Sequence, residues 1–128
     1  MKSPTLVLHK AQITRIELDT AYTVYDENPQ DADYPYIVMG EITARDWSDK
    51  STPGQEAYST LHIWSRYRGR KEAEEIYSAV LQAITRAELN LAPNFNAFGY
   101  FDSWDLMTDL DGVTRHGVLK FKYLIEEV

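Results

Sequence analysis

The sequence predicts an α+β fold: a single domain over residues 1–128, with a mostly antiparallel sheet, two helices packed on one face, and the order α-β-β-β-α-β-β. Three observations predict it. Apolar residues from Ala73 to Ile84 recur at helical spacing. Two runs before that helix, Tyr36 to Trp47 and Ala57 to Ser65, are rich in β-branched and aromatic residues. After it, residues alternate on either side of Asp111-Gly112, a strong hairpin signal.

Taken in order, Ser3-Pro4 predicts a helix start, because serine can cap free N–H groups and proline fits the first helical position. A helix over residues 5–18 places Leu6, Ile13 and Ile16 on one face and Lys10, Gln12 and Arg15 on the polar remainder. Thr23 to Tyr25 reads as a short strand. Asp26 to Asp33 carries four acids, but it lacks the glycine that a calcium loop needs at its sharp turn, so it reads as a solvated loop.

In the strand from Tyr36, Gly40 suggests a bulge or a close backbone approach. Thr52-Pro53-Gly54-Gln55 has the proline and glycine of a type II turn, which would splay a tight hairpin and so predicts a longer, projecting loop. Arg66 to Lys71 is a basic cluster leading into the second helix, whose buried face is Ala73, Ile76, Tyr77, Val80, Leu81 and Ile84. Asn90 to Asn96, with Pro93, reads as a loop. A two-residue turn at Asp111-Gly112 would oppose Leu110 to Val113, Trp104 to Leu119, Asp102 to Phe121 and Tyr100 to Tyr123. Leu119, Phe121, Tyr123 and Ile125 would then share a face with Tyr100 and Trp104, with Lys120 and Lys122 on the other.

Composition narrows the function. No cysteine is present, so disulfides, thiolate metal sites and a cysteine nucleophile are excluded. No apolar run reaches the roughly 20 residues that span a bilayer, and the N-terminal apolar run is too short for a secretory signal. A net charge of −7 argues against generic adhesion to nucleic acid, because phosphate neutralisation dominates that affinity. His9, His62 and His116 are scattered over a helix and two strands without zinc spacing, and no serine elbow supports a triad, so no catalytic residue, metal site or cofactor is expected. Phe95, Phe98, Tyr100, Phe101 and Trp104 lie among Asp102, Asp105 and Asp109, which suits core or interface packing better than stacking on a nucleic acid. Arg66, Tyr67, Arg68 and Arg70 suit an interface with an acidic neighbour, and the chain supplies acids at Asp26 to Asp33 and Asp46 to Asp49 for head-to-tail contacts between identical subunits.

Three blocks in series, YPYIVMGEITARDWSDK, TLHIWSRYRGRKEAEEI and DGVTRHGVLKFKYLIE, resemble the tail-completion (tail-terminator, or tail-to-head joining) proteins of long-tailed bacteriophages and prophages. The resemblance runs from about Tyr22 to Glu126. It implies a structural protein, not an enzyme, acting as a ring, commonly hexameric. Such a ring caps the tail tube, stops its polymerisation and docks the head-tail connector or neck protein, with DNA passing through unbound. The matching positions are Trp47, Ser48 and Lys50 in the hairpin loop, Trp64 and Arg66 to Arg70 before the helix, and Arg115 to Gly117 in the last hairpin. The loop with Pro53 and Gly54 is expected to contact the tail tube or a neighbouring subunit. The alternatives are a neck protein closing the capsid portal, or a prophage-encoded binding module.

Overall fold

The computed structural model describes residues 1–128. Helix α1 (Thr5–Asp19) and strand β1 (Val24–Tyr25) precede the long hairpin β2 (Tyr36–Asp46) and β3 (Gly54–Ser65). Helix α2 (Lys71–Thr85), β4 (Leu89–Leu91), β5 (Phe95–Thr108) and β6 (Arg115–Glu127) follow. The six strands form one sheet in the order β1-β2-β3-β6-β5-β4, with β1 parallel to β2 and every other pair antiparallel. Both helices cover one face, as the sequence predicts, and the expected order gains one short strand, β4.

The core lies between helices and sheet. Leu61 and Ile63 from β3, Leu119, Phe121, Tyr123 and Ile125 from β6, and Ile76, Val80 and Ile84 from α2 are fully buried there. Helix α2 buries Ala73, Ile76, Val80, Ala83 and Ile84, with Tyr77 and Leu81 half-buried, much as its periodicity requires. Glu72 and Glu74 in its first turn suit the positive end of the helix dipole.

Helix α1 corrects three expectations. Its buried line is Leu8, Gln12 and Ile16, four residues apart, while Leu6 faces solvent. Gln12 is drawn inside, where the buried Tyr123 hydroxyl donates to its Oε1 at 2.9 Å, while its Nε2 has no partner. Ser3 does not cap the helix: Pro4 occupies the cap position, and the Ser3 hydroxyl pairs with that of Thr5 at 3.2 Å. Arg15 is not a free polar side chain either. Its guanidinium donates to the carbonyls of Ala83, Ala87 and Glu88, satisfying the end of α2 and tying the helices together.

The reading of Gly40 holds in both of its forms, and three others change. Gly40 lies where the β2–β3 register shifts, and a Cβ there would crowd the Thr60 carbonyl at 2.8 Å, so bulge and close approach coincide. The type II turn is absent, because Gly54 opens β3 and has no positive φ. Leu89 and Leu91 point inward on β4 and pair with Ala97 and Phe95, so part of the expected Asn90–Asn96 loop is a second small hairpin. In the β5–β6 hairpin Trp104 does oppose Leu119, but a bulge between Phe101 and Ser103 then moves the register by one residue. Phe121 therefore meets Phe101 rather than Asp102, and Tyr123 meets Gly99 rather than Tyr100. Tyr100 pairs with Lys122 on the helix-free face, since one inserted residue reverses the side-chain alternation. Leu110 and Val113 belong to the connecting loop and not to a ladder pair.

Candidate interaction site

Strand β3 separates the two groups of residues that the sequence singles out. Its 12 residues span about 40 Å at roughly 3.3 Å each. The loop from Trp47 to Pro53 enters at one end and the cluster from Arg66 to Arg70 leaves at the other. A single subunit cannot bring them together.

At the entry end, the loop closes tightly rather than flopping outward. Trp47 N–H donates to the Gly54 carbonyl at 2.8 Å, and the Ser48 hydroxyl links the Asp46 carboxylate to the Gly54 N–H. Turning is done by Asp49, whose carboxylate accepts the N–H groups of Ser51 and Thr52; these bonds hold its pKa below the usual carboxylate range. Gly54 is buried because a Cβ would sit 3.0 Å from the Trp47 carbonyl and 3.2 Å from that of Ile125. The Pro53 carbonyl accepts the Glu127 N–H at 3.0 Å. Trp47, Lys50 and Pro53 are left exposed at the tip, beside a shallow depression lined by Asp46, Asp49 and Glu126.

At the exit end, Arg66 lies over the Tyr34 ring, 4.4 Å from its centroid, and donates from Nε to Thr114 Oγ1 at 3.2 Å. Gly69 takes a positive φ of 69°, which lets the chain swing from β3 into α2. Tyr67, Arg68 and Arg70 are exposed. No carboxylate of the same chain pairs with Arg66, Arg68 or Arg70. The nearby Glu72 is taken up by the Ser65 hydroxyl at 2.7 Å. Arg68 and Arg70 thus have no ion-pair partner in their own chain, while Arg66 is held by the Tyr34 ring and Thr114.

The β5–β6 loop sits beside this cluster. The Asp111 carboxylate accepts the Thr114 hydroxyl and the N–H groups of Val113 and Thr114, which hold its pKa down at about 2. Gly112, with a φ of 73°, completes the turn. Of the block Arg115 to Gly117, Gly117 is structural: a Cβ would overlap the Trp104 ring, which packs over it and stacks on Tyr77 at 4.3 Å.

His62 and His116 are not scattered, as the sequence suggested, but joined at 2.7 Å from Nδ1 to Nε2 on the helix-free face. Trp64 stacks on His116 at 3.9 Å. No group of three or more histidine or acidic side chains is placed to hold a metal. The signal missed was parity, because β3 pairs along its whole length with β6 and both histidines share one face. Burial lowers both pKa values, and His62 further opposes charging of His116, while Glu41 near His62 and Asp109 near His116 work the other way. The unfolded chain therefore takes up these protons first. Stability is full above the ordinary histidine value of 6.5 and falls as pH drops below it. The urea midpoint is expected to fall between about pH 7.5 and pH 5, and His116→Gln should flatten that dependence. An unchanged slope in the variant would remove the pair from the account.

A family model described as "Tail completion protein gp17" matches residues 7–126. The "Tail completion protein gp17" of Bacillus phage SPP1 is 29% identical, over 97% of this chain and 96% of that protein. Among solved structures, a chain from the "Virion of native gene transfer agent (GTA) particle" superposes with a TM-score of 0.83 at 19% identity, covering 98% of this chain and 99% of that one. The bacteriophage SPP1 gp17 protein superposes with a TM-score of 0.60 at 31% identity, covering 91% and 87%.

Proposed function

The chain belongs to the tail completion protein gp17 family, and from that premise we propose that it forms a ring of six subunits that caps the tail tube. The ring ends tail polymerisation and joins tail to head through the neck protein. The protein is a structural component of the virion, acting at its tail. The observation that supports a ring is the polarity of the subunit: unpaired Arg66, Arg68 and Arg70 at one end of β3, and Asp46, Asp49 and Glu126 at the other. Such a subunit is complementary to a copy of itself placed head to tail, and a heterologous contact of that kind closes into a ring when its rotation allows. The tight loop carrying Trp47, Ser48, Lys50, Pro53 and Gly54 then faces a neighbouring subunit as well as the tail tube. DNA passes through without specific binding, because a chain of net charge −7 offers phosphates little neutralisation.

Disrupting the gene in its parent genome and viewing the lysate by electron microscopy tests this. Unjoined heads beside overlong tails are expected. Tails of normal length without heads would point instead to a neck protein at the portal, and intact particles would refute both.

A further inference from the structure

The tip of the β5–β6 hairpin carries two apolar side chains that the fold does not use. Leu110 is fully exposed and Val113 is 54% exposed. They are held out and not merely loose, because the loop is fixed by the Asp111 carboxylate and by the Asp109 N–H bond to the Thr114 carbonyl at 2.8 Å. Arg66 reaches the base of this loop, and Arg115 follows it. Asp111 is taken up by the loop's own hydrogen bonds, so Arg66, Arg115 and Asp109 surround the base of an ordered apolar tip, which is shaped to enter an apolar cleft.

The same chain offers that surface at its other end. A cleft is walled by Trp47, Phe98, Tyr100 and Leu124, and its only charged lining residues are Glu88 and Glu126. Phe98 and Tyr100 face one another with ring centroids 5.0 Å apart, and Tyr100 and Trp47 are each nearly half exposed. The bulge in β5 exposes this cleft, since it turns Tyr100 onto the helix-free face beside Lys122.

We propose that the tip of one subunit, Leu110 with Val113, inserts into the Trp47–Phe98–Tyr100–Leu124 cleft of the next copy of this chain. This rests on the ring reading above and names the contact that would hold it. Arg115 and Arg66 then approach Glu126 and Glu88 around the apolar centre, which is the arrangement of a hot spot behind a charged rim. A subunit cannot satisfy its own cleft. The strand from Arg115 to Leu124 spans about 30 Å at roughly 3.3 Å per residue.

The absence of cysteine makes the test clean. A chain carrying Leu110→Cys and Tyr100→Cys together, both at exposed positions, is expressed in place of the natural one, and its particles are mildly oxidised and run on a non-reducing gel. A ladder of covalent multiples of the chain is expected, with each single variant remaining monomeric. A monomeric double variant in joined particles would overturn the contact, as would Leu110→Cys linking to a different virion protein. Leu110→Asp supplies a second reading, because the side chain has no packing to lose. It should leave the melting curve in place yet leave heads and tails unjoined; normal particles would overturn the proposal. Joining that proceeds without the chain altogether would refute the ring reading itself, and this contact with it.

Discussion

Phe121→Ala should lower the free energy of unfolding by about 3–5 kcal/mol, while Phe101→Ala, its direct partner across the ladder, should cost no more than about 1 kcal/mol. The two rings point to the same face of neighbouring strands, so strand propensity and register are matched between them. What differs is enclosure. Phe121 is 0% exposed, in the centre of the sheet against α2, and removing its ring leaves a void that rigid neighbours cannot fill. Phe101 is 47% exposed and touches Tyr77 only at a ring separation of 6.0 Å. Urea unfolding of both variants decides the matter. Similar losses would mean that the region near Tyr77 is better packed than its exposure indicates. Against a typical domain stability of about 5–15 kcal/mol, the Phe121 loss alone is a large fraction.

The second large effect is on assembly and leaves folding alone. If the proposed ring forms head to tail, Arg68→Glu combined with Arg70→Glu should reduce joined particles by roughly a hundredfold, because each reversal would put a carboxylate opposite those of the neighbouring copy. Neither arginine makes an ion pair within its chain, so the melting curve should not move. Lys2→Glu with Lys10→Glu makes the same change in net charge away from the cluster and should assemble normally. Equal loss in both pairs would show that overall acidity, and not this cluster, sets the outcome. Counting joined and unjoined particles by electron microscopy reads the difference directly.

How much of this was legible depends on how far apart the deciding partners lie. Helix α2 could be read closely because its apolar stripe is carried within the segment itself. Helix α1 could not, because the partner that Gln12 meets inside is Tyr123, 111 residues away in sequence. Strand β4 escaped because three residues beside Pro93 are too few to show a period of two. The hairpin register was readable up to Trp104 and Leu119; beyond it a single bulged residue reversed the alternation, and no residue type there announces a bulge. The histidine pair stayed hidden because β3 neighbours β6, which no local pattern discloses. Of the site, the basic cluster was visible as charge. The role of Gly54, which suggested a turn, proved to be close packing against the last strand. The cleft is a product of the β5 bulge and could not be inferred without it.

The last strand has one more consequence. Residues Arg115–Glu127 lie between β3 and β5 and join them into one sheet. Without them, the hairpin β2–β3 and the strand β5 have no common neighbour. The hairpin tip at one end of the sheet and the cleft at the other therefore hold a fixed relation to each other only when β6 is in place. A chain lacking β6 would have no rigid span between tip and cleft.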